Sequence, residues 1–247
     1  MHNQDCTATR LTISNPPINL WTAQLIYEFN TYLLSLNNTH ASTPKIIVIS
    51  SDLPDFYISH LDLHLLSAAH PVAPPINAKD ALNTYFENLT LLQSLPVIFV
   101  AEINGRTWGA GDEHLMQMDM RFAGPGAFFG APEAALGVFH VNATEAARVG
   151  WVHFAFATVE GLREYVDGLV RRIAKFEGDA IRATKRSVAR QKPTMAMFEE
   201  DQAAFAAFAA EPAVRGRAER FLEISRDQGR VWELDDGDNI VEYMYGV

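Results

Sequence analysis

The spacing of apolar residues changes once along this chain, and that change limits the folds open to it. Up to about residue 157, short β-branched runs alternate with helical stretches; from Val159 onward the period is helical throughout. Lys45-Ile-Ile-Val-Ile-Ser50 and Pro96-Val-Ile-Phe-Val-Ala101 have the length and composition of buried strands. Residues 11–14 alternate like an edge strand, and Asn15-Pro-Pro-Ile-Asn19 breaks them as a turn. The spacing predicts a helix over 22–36, with Leu25, Ile26, Phe29, Leu33 and Leu36 on one face. A second helix is predicted over 78–94, capped by Asn77, with Leu82, Tyr85, Phe86, Leu89 and Leu92 inward. Residues 71–75, with three prolines, read as a linker. Trp151 to Ala157 alternates again, with Val152, Phe154 and Phe156 on one face. Helices near 159–175, 178–191, 195–209 and 212–226 follow, separated by Gly178, Pro193 and Pro212. The expectation is an α/β core over 1–157 and a helical region over 158–247.

Charge and cysteine content narrow the function classes. The 247 residues carry 20 Lys+Arg against 30 Asp+Glu, a net charge of −10, which argues against a nucleic-acid binder because neutralising phosphates needs a basic face. Cys6 is the single cysteine, so intrachain disulfides are impossible and a thiolate metal site is disfavoured. His64, His114 and His153 share no metal-like spacing, and no metal site is expected. No apolar run approaches the roughly 20 residues a membrane helix needs. The first residues lack a secretory layout, and Tyr245-Gly246-Val247 is not a Ser-Lys-Leu address. A cytoplasmic protein is the expectation, with peroxisome and mitochondrion left open.

The chemistry concentrates in residues 104–137. Asn104-Gly-Arg-Thr-Trp-Gly-Ala-Gly-Asp-Glu113 ends a strand, turns through Gly109 and Gly111, and starts a helix near Ala110. Glycines allow close backbone approach, and N–H groups at a helix start have no intrahelical partner, so they can face an anion. Further on, Glu133 follows Pro132 at an expected helix start. By local pattern alone, Glu113 and Glu133 are as readily helix-start acids stabilised by the macrodipole as catalysts.

Three motifs in order decide between those readings. Asn104-Gly105…Gly109-Ala-Gly-x-Glu113, then Asp119-x-Arg121-x-Ala123, then Ala127-x-Phe129-Gly-x-Pro-Glu133-x-x-x-Gly137 resemble the crotonase (enoyl-CoA hydratase/isomerase) superfamily. Asn15-Pro-Pro-Ile-Asn19, Phe56-Tyr-Ile-Ser-His-Leu-Asp-Leu63, Gly150-Trp-Val-His153 and Ala183-Thr-Lys185 resemble further family segments. The resemblance implies a ClpP/crotonase-type spiral of ββα units, helices that dock on neighbours, and a homotrimer or hexamer. It places the oxyanion-hole N–H groups on Leu61 and Ala110, with Ser59, His60, Asp62, Gly109 and Gly111 around the substrate, and the two hydratase acids on Glu113 and Glu133. The implied activity is hydration of a 2-enoyl-CoA thioester in fatty-acid-type metabolism. Coenzyme A is part of the substrate, and no further cofactor is expected. The rivals are a double-bond isomerase using one glutamate and a catalytically weak acyl-CoA-binding protein.

Two departures stand out. His60 replaces the family's loop glycine, as either a ligand contact or a tolerated surface side chain. After Gly137 the chain passes directly to Asn142-Ala-Thr-Glu-Ala-Ala-Arg-Val-Gly150, omitting a loop and most of two helices. Asp119 and Arg121 read as a structural pair, and Arg171-Arg172 and Lys185-Arg186 as solvated helix faces.

Overall fold

The structure, a computed structural model, describes residues 8–36, 44–72, 75–131, 140–190, 192–237, 240 and 243. Strands β1 (Ala8–Ile13), β2 (Ile46–Ser51), β4 (Ile98–Ile103), β6 (Met120–Ala123) and β9 (Phe154–Ala155) form one all-parallel sheet in the order β1-β2-β4-β6-β9. A second sheet takes β3 (Phe56–Ile58), β5 (Arg106–Trp108), β7 (Phe128–Gly130) and β8 (His140–Asn142), with only β8 antiparallel. Each consecutive strand pair, β2–β3, β4–β5 and β6–β7, contributes one strand to each sheet. Helices α2 (Ala78–Ser94) and α3 (Ala110–Gln117) separate those pairs. This is a ββα spiral, as the motifs implied.

Period-2 geometry explains the unbroken apolar runs Ile46–Ile49 of β2 and Ile98–Ala101 of β4. Ile47, Ile49, Phe99 and Ala101 join the main core, whereas Ile46, Val48 and Val100 face a second cluster on the opposite side. Helix α5 (Val159–Ile173) covers that second face with Leu162 and Val166, and α6 (Gly178–Ala189) adds Ile181. Both faces are therefore buried, as parallel sheets require.

Local signals set most helix limits. Helix α1 (Ala23–Ser35) starts after Thr22, whose side chain accepts from the Leu25 N–H, and it buries Ile26, Phe29 and Leu33. The Asn77 carboxamide accepts from the N–H groups of Lys79 and Asp80, capping α2 at the position expected. Asn77→Ala should lower stability by about 1 kcal/mol, measured by chemical denaturation, with little change in the slope of the transition. Pro212 at the first turn opens α8 (Pro212–Ile224), and Thr194 caps α7 (Met195–Ala210).

Several expectations are corrected. The alternation over 151–157 yields only a two-residue strand, because β9 is a sheet edge. Val152 enters the main core, Phe156 packs on the second cluster, and Phe154 is 55% exposed, stacked on Phe122. Lys185 is buried, not solvated: its ammonium donates to the Leu92 and Val97 carbonyls and to Asp119, and burial pulls its pKa down to about 8. Asp119 and Arg121 are both structural but serve different partners. Asp119 bonds the Phe99 N–H and Lys185; the Arg121 guanidinium bonds the Trp151 and Met118 carbonyls. Residues 132–139, with Glu133, lie outside the described residues. On either side of them Gly130 pairs with His140, and α4 (Ala143–Arg148) follows at once, capped by Asn142.

Candidate active site

Parallel pairing of β3 and β5 brings two loops side by side. The Trp108 N–H donates to the Ser59 carbonyl at 2.8 Å, and two residues further on the chains reach Leu61 and Ala110. Leu61 forms a β-bridge with Trp21 through the His60 carbonyl (2.8 Å) and the Asp62 N–H (3.2 Å), which leaves the Leu61 N–H outside that bridge. Ala110 is the first residue of α3, so its N–H has no intrahelical acceptor. Both residues line one cavity of about 390 Å³.

The Asn15–Asn19 turn holds the first of these loops. The Asn19 carboxamide donates to Ser51 Oγ (2.8 Å) and the Tyr57 carbonyl (3.0 Å), and the Asn19 backbone carbonyl accepts the Ser59 N–H. The second loop depends on two glycines. Gly109 has φ +46°, a region that favours glycine, and its N–H donates to the Gly130 carbonyl. A Cβ on Gly111 would lie 2.4 Å from the Ile58 carbonyl oxygen and 2.6 Å from Thr107 Oγ1. Gly111→Ala should therefore push α3 off β3, costing about 2–3 kcal/mol and displacing Ala110. A thermal melt within a degree of wild type would contradict this.

Glu113 lies in the first turn of α3 and opens into the same cavity. The Tyr85 hydroxyl is 2.7 Å from the Ala110 carbonyl and 3.1 Å from Glu113 Oε2. The hydroxyl's one proton is shared between these acceptors, and its bond to the carboxylate favours the ionised form of Glu113. The side chain is exposed toward the cavity, and the protein packed around the carboxyl desolvates it in part. That desolvation raises its pKa against the opposing Tyr85 bond, and the charge of Asp201 adds to the rise.

The wall opposite these loops comes from the last helices and includes a pair that sequence reasoning missed. Helix α9 (Arg230–Asp235) presents Glu233, whose Oε1 is 3.0 Å from His60 Nε2; His60 Nδ1 lies 2.7 Å from the Leu61 carbonyl. Both side chains line the cavity, at 12% and 4% exposure. His60 is thus not a surface side chain. Residues Arg226, Asp227 and Gln228, with φ of 53°, 62° and 57°, form a left-handed turn before α9. Each left-handed residue costs about 1–2 kcal/mol. Bonds to the 61–64 loop offset that cost: Gln228 accepts from the Leu63 N–H (2.9 Å) and donates to Asp62 (3.0 Å), and Asp227 meets His64 (2.7 Å). Arg106 donates to the Leu234 carbonyl and Arg230 pairs with Asp55, tying α9 down further. A six-residue helix has no readable period, and nothing in the sequence pointed to this pair.

Of the residues expected around a substrate, His60, Leu61, Ala110 and Glu113 line the cavity. Ser59 is fully buried with its hydroxyl unbonded among the described residues, and Asp62 caps the short 3-10 turn Leu63–Leu65 through the His64 N–H. Ser59, Asp62, Gly109 and Gly111 shape the loops rather than form the wall. Glu133 lies outside the described residues. Neighbouring Asp112 accepts the Gly130 N–H and so fixes the end of β7. His114 is a core side chain between Trp21 and Phe29.

A spiral of ββα units with two loop N–H groups beside a glutamate is the framework of the crotonase fold. The sequence profile of the enoyl-CoA hydratase/isomerase family matches residues 5–141, more than half the chain, and the protein belongs to that family, within the crotonase superfamily. The fold is similar to that of a candidate enoyl-CoA hydratase from Streptomyces avermitilis, with TM-score 0.79, 23% identity, and 99% of this chain and 97% of the other covered. An enoyl-CoA hydratase from Bacillus halodurans matches with TM-score 0.74 and 19% identity over 89% and 97%. An enoyl-CoA hydratase/isomerase from Xanthobacter autotrophicus Py2 matches with TM-score 0.73 and 19% identity over 96% and 93%. No curated protein sequence matches the chain.

Proposed function

We propose that the protein is a 2-enoyl-CoA hydratase, using coenzyme A as part of its substrate. The observation that carries this reading is the meeting of the Leu61 and Ala110 loops with Glu113 on one apolar-walled cavity, whose volume suits a small-molecule site. The thioester oxygen sits between the two N–H groups. Water, oriented by Glu113, adds its oxygen to C3 and gives a proton to a carboxylate. The C2–C3 π electrons move onto the thioester oxygen as an enolate. Such N–H donors stabilise developing charge by about 3 kcal/mol each. Proton delivery to C2 restores the thioester carbonyl, and Glu133 is assigned that exchange on the family resemblance. Leu82, Phe86, Phe205, Phe221 and Trp232 supply walls for the acyl chain. Assembly into trimers or hexamers is part of the proposal: α7 keeps most of its Ala/Phe-rich surface exposed, Phe208 at 55%. The test is hydration of crotonyl-CoA by the purified protein. Saturable thioester binding without turnover would instead favour the binding-protein reading, and conversion of 3-enoyl-CoA alone would favour an isomerase.

A further inference from the structure

Glu233 is a carboxylate in an apolar wall that the proposed hydration does not use. Its side chain is 4% exposed, yet it lines the cavity together with Leu63, Leu66, Phe221 and Trp232. Its Oε1 is committed to His60 Nε2. The other face of that imidazole meets the Leu61 carbonyl, which can only accept, so Nδ1 carries a hydrogen. The Nε2–Oε1 contact fixes one oxygen of Glu233 against the imidazole. Glu233 Oε2 makes no hydrogen bond among the described residues and is not sealed in the core. A polar oxygen in an apolar wall with an unused lone pair is disfavoured unless a donor reaches it.

We infer that the Glu233–His60 pair is a recognition point for a hydrogen-bond-donating substituent, a hydroxyl or amino group, on an otherwise apolar acyl chain. His60 fixes the orientation of Glu233 and replaces a glycine of the family pattern one residue before Leu61. Substrate selection is thereby joined to the loop that holds the thioester oxygen. Glu113 stands on the other loop, three residues after Ala110, so the two carboxylates have separate tasks.

The inference rests on acyl-thioester binding but not on turnover, so binding tests it. Affinities are measured for octanoyl-CoA and for its 4-, 6- and 8-hydroxy analogues, none of which can be hydrated. The wild-type protein should bind one hydroxy analogue roughly 10- to 100-fold more tightly than octanoyl-CoA, the range of a hydrogen bond to a charged acceptor. Glu233→Leu should abolish that preference while keeping octanoyl-CoA affinity. Glu233→Gln, which preserves shape and the contact with His60, should reduce it and covers the case in which the leucine variant does not fold. Equal or weaker binding of every hydroxy analogue, or a preference that survives both substitutions, overturns the inference and leaves the hydratase reading standing. Failure of all four thioesters to bind overturns both.

Discussion

Replacing Glu113 with glutamine is expected to lower kcat for crotonyl-CoA hydration by about 10²- to 10⁴-fold, the usual contribution of positioned acid–base catalysis. Stability should move the other way. Partial desolvation by the protein around it holds the Glu113 carboxyl above its ordinary pKa of 4.5, so ionising it in the folded state is disfavoured. The stability this group supplies is complete below its unfolded pKa and is lost as pH rises through the raised folded value. Glutamine carries no such charge. The difference in melting temperature between Glu113→Gln and wild type should therefore grow in favour of the variant from pH 4 to pH 7. A variant that keeps full hydration would exclude Glu113 from the mechanism. A variant that loses activity together with tens of degrees of stability would assign the residue to the fold.

The second large effect concerns acid stability and His114. This side chain is fully buried against Trp21 and Phe29, neither ring nitrogen has a partner among the described residues, and burial lowers its pKa to about 3. In the unfolded chain the imidazole takes up a proton near pH 6.5, whereas the folded protein does so only near pH 3. Stability is thus lost as pH falls through this window, by roughly 5 kcal/mol in all at 1.36 kcal/mol per unit. His114→Phe fits the same aromatic cluster and removes the proton uptake. Its urea-unfolding free energy should fall by several kcal/mol less than that of wild type between pH 6.5 and pH 4. Parallel pH profiles for the two proteins would show that the core takes His114 in its charged form.

Features that depend on short-range chemistry were readable in the sequence. Asn77 caps α2 because a carboxamide two or three residues before free N–H groups needs no tertiary context, and α3 begins at Ala110 because Gly109 permits the turn. The double-sided burial of β2 and β4 followed from their unbroken apolar runs. Reading failed where tertiary contacts decide. Lys185 looked like a solvated lysine because nothing adjacent in sequence reveals two carbonyls and Asp119 waiting in the core. His60 was visible as a departure, but its partner lies 173 residues away on a helix too short to show a period. The expectation for Leu61 and Ala110 came from the family resemblance alone, since backbone N–H groups leave no mark in a side-chain alphabet.

The cavity is closed by two parts of the chain made at different times. Its N–H groups and Glu113 belong to residues 61–113, whereas Phe205, Phe221, Trp232 and Glu233 arrive nearly a hundred residues later. During synthesis the ββα spiral can form its sheets while the wall is still inside the ribosome, leaving Leu82 and Phe86 uncovered. The nascent chain therefore passes through a stage with a finished scaffold and an open apolar trough. Chaperone contact is to be looked for in that interval, and loss of α7, α8 and α9 together would leave the protein in that state for good.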